Sequence, residues 1–202
     1  MCIRDRYWAA SCGGCEIAVL NTHEKILDVD ANFEVVFWPV AMDAKYHDVE
    51  AMEDGSILLT LFNGGIRNDE NEHIAKLLRQ KSKILVAFGS CACEGCIPGL
   101  ANLSPVGDIV HTAFNTLTTD NPNEIYPRTS YDVPEGELHI PTLSRVVRPL
   151  DQVVDVDYFM PGCPPESHQI AAVIDQMCIR DSSHTAHGGG GDAPEYHLAD
   201  ME

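Results

Sequence analysis

Two cysteines lie three positions apart in the stretch Ser11-Cys12-Gly13-Gly14-Cys15-Glu16, at the start of a pattern typical of a helix. Two more cysteine loops follow far downstream, at Gly89-Ser90-Cys91-Ala92-Cys93-Glu94-Gly95-Cys96 and at Pro161-Gly162-Cys163-Pro164-Pro165. Each of the three loops comes after an apolar run that predicts a strand. We therefore expect the loops to meet at one edge of a sheet and to hold a single iron–sulfur cluster.

The composition predicts a globular protein, because the 202 residues are 45% hydrophobic. The formal net charge of −18, from 31 acidic and 13 basic residues, disfavours a nucleic-acid partner. We predict a cytoplasmic location, since there is neither a signal-like start nor an apolar run of transmembrane length. In a reducing compartment, clustered cysteines bind metal or carry out redox chemistry more often than they form disulfides.

A hexapeptide at the start of the chain recurs near its end. Met1-Cys2-Ile3-Arg4-Asp5-Arg6 returns almost unchanged as Met177-Cys178-Ile179-Arg180-Asp181-Ser182. A hexapeptide that recurs once, at the two ends of a globular segment, does not fit the stacked repeats of a solenoid. We interpret residues 1–6 as an artefactual leader and residues 177–202 as an artefactual flexible tail, which leaves residues 7–176 as the domain. Cys2 and Cys178 are accordingly expected to lie away from the metal site.

The order of predicted elements indicates an α/β domain with a mainly parallel open sheet and helices on both faces. We predict strands at residues 7–10, 33–40, 56–62, 83–88 and 153–160, and helices at 16–28, at 70–81 and after Pro165. In the helix at 16–28, Ile17, Leu20 and Leu27 lie on one predicted helical stripe. Residues 103–149 have many prolines and little periodicity, so we expect an irregular segment that faces a partner. Ligands of such sheets bind beyond the carboxyl ends of the strands, where all three cysteine loops are predicted.

Four thiolates, from Cys12, Cys15, Cys91 and Cys163, would suit either zinc or a [4Fe–4S] cluster. Structural zinc sites usually draw on two local pairs, whereas here one pair is local and two ligands are remote. The spacing favours the cluster and leaves a structural zinc-binding interaction domain as an alternative. Cys91 comes first after its strand and is the preferred ligand of its loop, with Cys93 and Cys96 as alternatives. Glu16 either carries protons or stabilises the helix start.

Several runs together resemble the small subunit of [NiFe] hydrogenases, in particular the methyl-viologen-reducing type associated with heterodisulfide reductase. The resemblance extends more distantly to the 20 kDa cluster-bearing subunit of respiratory complex I. It covers about residues 7–176. The runs that carry it are residues 12–16, 62–67, 81–93, 97–102, 148–151 and 161–165.

The resemblance implies a flavodoxin-like domain that binds a proximal [4Fe–4S] cluster through Cys12, Cys15, Cys91 and Cys163. Cys93 and Cys96 would be neighbours that do not bind the cluster. The chain would be a subunit of an oxidoreductase without catalytic residues of its own. Electrons would come from the nickel–iron site of a separate large subunit and pass to an iron–sulfur acceptor subunit, such as heterodisulfide reductase.

The sequence departs from these families in two ways. Full-length hydrogenase relatives have a C-terminal segment with cysteines for further clusters, and here a short tail replaces it, so we expect a truncated chain. The complex I relatives have two adjacent cysteines in the first loop. The Cys-x-x-Cys spacing of Cys12 and Cys15 therefore favours a hydrogenase over the alternative, a quinone oxidoreductase.

Overall fold

The computed structural model describes residues 2–116 and 118–184, and the side chains of residues 7–116 and 118–175. Within these residues no helix is long and apolar enough to cross a membrane. In chain order the elements are β1 (Cys2–Trp8), α1 (Gly14–Leu20), α2 (Lys25–Asn32), β2 (Phe33–Phe37), α3 (Tyr46–Glu50), β3 (Ile57–Asn63), β4 (Ile66–Asn68), α4 (Asp69–Lys81), β5 (Ser82–Phe88), α5 (Ser90–Glu94), α6 (Cys96–Gly99), α7 (Val106–Phe114), β6 (Ser130–Val133), β7 (Gly136–His139), β8 (Leu143–Arg148), β9 (Tyr158–Met160) and α8 (Ser167–His184), with 3-10 helices at Leu100–Leu103 and Leu150–Gln152.

Five parallel strands form the central sheet, in the order β2-β1-β3-β5-β9. Counted along the sheet's own strands, this is the 2-1-3-4-5 order of flavodoxin-like folds. Strand β3 lies in the middle, and its Ile57, Leu59 and Phe62 are fully buried, as expected for a parallel strand covered on both faces. The predicted fold class is confirmed.

Two apolar cores lie on the two faces of the sheet. Helices α1, α2 and α8 cover one face, where Val19, Leu59 and Ile170 belong to the same cluster. Helices α3 and α4 cover the other face, with Val49 and Ile74 in the second cluster. The chain therefore places helices on both sides of the sheet, as the alternating pattern predicts.

Helix α4 forms where its sequence signals predict it. The Asn68 side chain caps its start by accepting a hydrogen bond from the Asn71 backbone N–H at 2.7 Å. Acidic residues occupy the first turn and basic residues the last, which suits the helix dipole. Ile74 and Leu78 face the core.

The helix predicted at residues 16–28 is wrong in its extent. The structure has two helices, α1 and α2, and His23 between them takes a left-handed backbone with φ of 55°. Ile17, Leu20 and Leu27, which form the predicted apolar stripe, are 58%, 55% and 65% exposed. Cys15, Ala18 and Val19 are buried instead. The inward face is thus set by Cys15, and the apolar stripe lies on the outside.

Residues 103–149 are more regular than the sequence predicts. Helix α7 fits between Pro105 and Pro122, and β6 pairs with β7 as an antiparallel hairpin. Strand β8 pairs antiparallel with β4, the short strand after Gly65. Most side chains of the hairpin are exposed, and the partner-facing role of the segment stays a prediction.

The terminal elements extend beyond the predicted domain of residues 7–176. Strand β1 begins at Cys2 and pairs with both β2 and β3, and α8 continues to His184. The assignment of residues 1–6 to a leader and of 177–184 to a flexible tail therefore overlaps regular structure, while residues 185–202 lie outside the described residues. The artefactual origin of the repeat stays a prediction.

Candidate metal centre

The second and third cysteine loops are joined by backbone hydrogen bonds at the carboxyl edge of the sheet. Strands β5 and β9 are neighbours, so their following loops start side by side. The Gly89 N–H donates to the Met160 carbonyl at 2.8 Å, and the Ser90 N–H donates to the Gly162 carbonyl at 2.8 Å. The Gly162 N–H in turn donates to Ser90 Oγ at 3.2 Å. The loops that bear Cys91 and Cys163 therefore have a fixed relative position.

The first loop packs directly against this junction. A Cβ atom added at Gly89 would lie 2.3 Å from Cys15 Sγ, which is far inside van der Waals contact. Gly89 also has a φ of +84°, a conformation that favours glycine. Glycine is therefore required at position 89, both because the backbone has a positive φ and because the Cys15 sulfur approaches so closely.

Hydrogen bonds within the first loop orient Cys12. The Gly13 N–H donates to Ser11 Oγ at 3.1 Å, and the Gly14 N–H points to Cys12 Sγ at 3.4 Å. The loop lies against the Trp8 ring, since a Cβ atom added at Gly13 would lie 3.0 Å from it, and the indole N–H donates to the Ser11 carbonyl at 3.2 Å. One backbone donor thus already faces a candidate ligand sulfur.

The thiol pKa values show which cysteines lie close together. Burial raises the pKa of Cys91 to about 11, and repulsion from Cys96, Cys163 and Cys12 adds to the effect. The pKa of Cys163 is raised by a hydrogen bond with Cys96 and by charge repulsion from Cys96 and Cys12. Cys12, Cys91 and Cys163 therefore form one group with Cys96, and Cys15 reaches the same place through its contact with Gly89.

Thiol sulfurs are the ligands that an iron–sulfur cluster takes, so the cysteines at this edge suit such a cluster in their chemistry. Among the residues described, no three Cys, His, Asp or Glu side chains are arranged to hold a single metal ion. Cys15 and Cys91 are buried, whereas Cys12 and Cys163 are exposed. The group thus has an inner and an outer pair of sulfurs.

Cys93 and Cys96, which the sequence alone does not distinguish, have different surroundings in the structure. The Cys93 thiol donates to the Ala87 carbonyl at 3.3 Å and packs against the core, and burial raises its pKa to about 11. Cys96 instead interacts with Cys91 and Cys163. The sequence signal that distinguishes them is Gly95, which turns the chain with a φ of +89° just before Cys96. The side chains of Cys2 and Cys178 lie outside the described residues.

Glu16 turns inward from α1 and is only 3% exposed. The Trp38 indole N–H donates to its Oε2 at 2.6 Å, and the Asn63 amide donates to its Oε1 at 3.3 Å. The carboxylate thus links α1 to the residues that follow β2 and end β3. These partners are 22 and 47 positions away in sequence, so sequence reasoning missed them, and a proton-carrying role stays untested.

The fold and the cysteine-lined edge together define a flavodoxin-like domain with a thiol site at the carboxyl edge of its parallel sheet. The family model described as NADH ubiquinone oxidoreductase, 20 Kd subunit, matches residues 12–177. The chain therefore belongs to this family.

Curated relatives of the chain include hydrogenase subunits. It is 45% identical over 168 residues to the iron-sulfur subunit of the F420-non-reducing hydrogenase of Archaeoglobus profundus, a match that covers 82% of this chain and 52% of that protein. It is 26% identical over 166 residues to the delta subunit of the NAD-reducing hydrogenase HoxS of Cupriavidus necator, which covers 82% and 73%. The chain spans about half the length of the first of these relatives.

Solved structures share the fold. A chain of the NAD+-reducing [NiFe]-hydrogenase in its H2-reduced state superimposes with a TM-score of 0.75 at 24% identity, over 99% of this chain and 97% of that one. A chain of the [NiFeSe] hydrogenase of Desulfovibrio vulgaris Hildenborough gives a TM-score of 0.56 at 14% identity, over 90% and 61%. At these identities the likeness supports the fold class alone.

Proposed function

We propose that this chain is the electron-transfer small subunit of a [NiFe] hydrogenase, with a proximal [4Fe–4S] cluster held by Cys12, Cys15, Cys91 and Cys163. The observation that carries the proposal is the meeting of three remote cysteine loops at one sheet edge. When bound, the cluster supplies a one-electron carrier. A separate large subunit would supply electrons from its nickel–iron site, and an iron–sulfur subunit, such as heterodisulfide reductase, would accept them.

The four candidate ligands would bind the cluster from two sides, one buried and one exposed. The buried thiols of Cys15 and Cys91 would bind its inner side, where little water reaches. The exposed thiols of Cys12 and Cys163 would bind its outer side, which a partner subunit would cover. The Gly14 N–H would stabilise negative charge on the Cys12 sulfur.

Exposed apolar side chains near the cysteine edge support a partner at this place. Trp8, Ile17, Ile97, Leu100 and Leu103 are between 41% and 84% exposed, and all belong to the first two cysteine loops or their adjoining elements. We name these five residues the cysteine-edge apolar surface. Exposed apolar patches of this kind often mark protein interfaces, and we assign this one to the large subunit.

The second candidate is a cluster subunit of a complex I-like quinone oxidoreductase, which the family match favours. The hydrogenase proposal is better supported because the relatives just compared are named as hydrogenase subunits. The Cys-x-x-Cys spacing of Cys12 and Cys15 also favours it. We propose a cytoplasmic location for the assembled protein.

Purifying the chain anaerobically and measuring its absorption, iron, labile sulfide and zinc tests the cluster. We expect a brown protein with about four irons and four sulfides per chain. Cys163→Ala should lose the cluster, whereas Cys93→Ala should keep it, because Cys93 faces the core. A colourless protein with one zinc per chain and no sulfide would instead establish the structural zinc alternative.

The enzymatic proposal needs a separate measurement with the large subunit. Copurification with a nickel-containing partner, and hydrogen-dependent reduction of the cluster in that complex, are the expected results. Reduction of the cluster by a quinol without any response to hydrogen would favour the quinone oxidoreductase.

A further inference from the structure

We propose that Glu16 is a positioning residue for Cys15, and that its hydrogen bonds to Trp38 and Asn63 hold the Cys15 thiol in the direction that the cluster needs. The inference rests on the proposed cluster and adds a residue that acts through a ligand without binding iron. It gives Glu16 a role in the site that requires neither proton transfer nor contact with the cluster.

The first observation is the place of Glu16 in the chain and in the fold. Glu16 follows Cys15 directly, and both residues lie in the first turn of α1. A glutamate at a helix start usually stays in water, yet this residue is only 3% exposed. Because one peptide bond joins the two residues, a restraint on the Glu16 side chain also limits how the Cys15 side chain can turn.

The second observation is the pair of donors that hold the carboxylate. The Trp38 indole N–H donates to Oε2 at 2.6 Å, and the Asn63 amide donates to Oε1 at 3.3 Å. Trp38 directly follows β2 and Asn63 ends β3, and these strands lie on the two sides of β1 in the sheet. The carboxylate therefore fixes the first turn of α1 to the carboxyl edge of the sheet at two separate points.

The third observation links this anchor to the second cysteine loop. Asn63 pairs with Phe88 across β3 and β5, and Phe88 directly precedes Gly89. Gly89 is the residue at which an added Cβ would lie 2.3 Å from Cys15 Sγ. Cys15 is thus restrained in two ways, through the backbone by the Glu16 anchor and at its sulfur by the contact with Gly89.

The physical consequence follows from burial of these polar groups. Removing the carboxylate would leave the buried donors of Trp38 and Asn63 without this acceptor, which is costly enough to make the start of α1 shift. Groups that orient a metal ligand usually weaken metal binding when they are removed, although they do not touch the metal. Loss of Glu16 should therefore be felt at the Cys15 sulfur.

Glutamine offers a conservative replacement that keeps the hydrogen bonds and removes the carboxylate. The Asn63 Oδ1 atom is buried and accepts no hydrogen bond within the part of the chain that the structure describes. In Glu16→Gln the new amide oxygen can accept from Trp38, and the new amide nitrogen can donate to Asn63 once the Asn63 amide turns over. The variant therefore separates hydrogen bonding from charge.

The test compares Glu16→Ala and Glu16→Gln with the parent chain, all at full length. Glu24→Ala is the matched control, because Glu24 is exposed just before α2. One measurement is iron, labile sulfide and the electron paramagnetic resonance spectrum after reduction with dithionite. The other is the rate at which iodoacetamide labels Cys15 in the cluster-free chain, read by peptide mass spectrometry with the buried Cys91 as internal reference.

We expect Cys15 in Glu16→Ala to be labelled several-fold faster than in the parent, with no change at Cys91, whose loop is held by the Ser90–Gly162 hydrogen bonds. The same variant should bind less iron, and the cluster that remains should have an altered spectrum. Glu16→Gln and Glu24→Ala should match the parent in both measurements. Should Glu16→Ala fold too poorly to purify, Trp38→Phe removes one donor and should shift Cys15 labelling in the same direction by less.

Four results would overturn the inference. Unchanged labelling of Cys15 in Glu16→Ala, or full iron with an unchanged spectrum, would show that Glu16 does not act on this ligand. An equal rise at Cys15 and Cys91 would show a general effect on stability instead of positioning. Glu16→Gln behaving like Glu16→Ala would show that the hydrogen bonds are not what matters. A parent chain that binds no iron would refute the proposed function, and labelling of the same chain would still decide whether Glu16 positions Cys15.

Discussion

The contact between Gly89 and Cys15 is the tightest point of the site. Gly89→Ala would place a methyl group 2.3 Å from Cys15 Sγ and force a side chain into a φ of +84°. We expect a loss of about 1–3 kcal/mol in the free energy of unfolding, together with loss of most bound iron because Cys15 must move.

Chemical unfolding and iron analysis check this prediction, with Gly107→Ala as the control. Gly107 lies in α7 with no heavy atom within 4 Å of an added Cβ, so its replacement should keep the iron and change stability by less than about 1 kcal/mol. Equal effects of the two substitutions would contradict the contact.

Trp38 supplies a hydrogen bond to the buried Glu16 carboxylate. Trp38→Phe removes this indole donor and should cost about 1–3 kcal/mol of unfolding free energy, because the carboxylate oxygen stays buried. Trp8→Phe, at an indole that is 41% exposed, is the matched control and should cost much less. Urea unfolding of the chain measures both, and a similar loss for the two variants would count against the buried link.

For individual residues, the sequence predicts which residue types form the site but not where each of them lies in the structure. The spacing of Cys12, Cys15, Cys91 and Cys163 indicates three loops that meet, because strand ends of a parallel sheet share one edge. The separation of Cys93 from Cys96 depends on the backbone turn at Gly95, which spacing does not reveal. The partners of Glu16 come from distant strands and leave no local pattern.

At the scale of elements, Glu72 ties α4 to β8. It accepts hydrogen bonds from Lys76 on its own helix and from Arg148 on the strand, and these bonds, that of Lys76 first, lower its pKa below the usual 4.5. The ionised form is therefore favoured in the folded chain. Its contribution to stability is present above pH 4.5 and is lost as the pH falls through the lowered pKa.

Glu72→Gln should accordingly cost about 0.5–1 kcal/mol near neutral pH, a small value because the pair is partly exposed. The difference from the parent should shrink as the pH drops below 4.5. Urea unfolding across this range measures it, with Glu135→Gln, in the exposed β6–β7 turn, as a control. A pH-independent difference would rule out the ionic origin.

Elements with strong local signals are predicted best from the sequence. Helix α4 has a cap, charged ends and an inward stripe, and β3 and β5 are continuous apolar runs, so their existence follows from local residues. The pairing of β4 with β8 joins residues 66–68 to residues 143–148, and such a distant pairing leaves no periodic trace. The apolar stripe of α1 and α2 does not identify the buried face of these helices, because its side chains face outward.

At the scale of the whole molecule, the cysteine-edge apolar surface should bind the large subunit. Leu103→Asp places a charge on its most exposed member, 84% exposed, and should weaken association at least tenfold. Leu27→Asp is the control, because α2 leads into the start of β2 at the opposite edge of the sheet. Affinity measured with the purified large subunit decides between them, and equal weakening would show that the surface is not specific.

The same partner should protect residues 103–149, because most side chains of this segment are exposed in the isolated chain. Hydrogen exchange of α7 and of the β6–β7 hairpin should slow when the large subunit is added. Protection that is the same with and without the partner would mean that the segment points elsewhere.

The order of the strands along the chain also determines how late in synthesis the cysteine site can form. The proposed cluster would take sulfurs from positions 12, 15, 91 and 163, and the last of them follows β9, the edge strand of the sheet. A nascent chain that has emerged only through β5 and its loop offers three of these thiols and lacks the strand that positions the fourth. Iron delivered by the cell's loading machinery would therefore find the complete proposed site only after nearly all of the described chain has been synthesised and folded, and we expect cluster insertion to be a late, post-translational event.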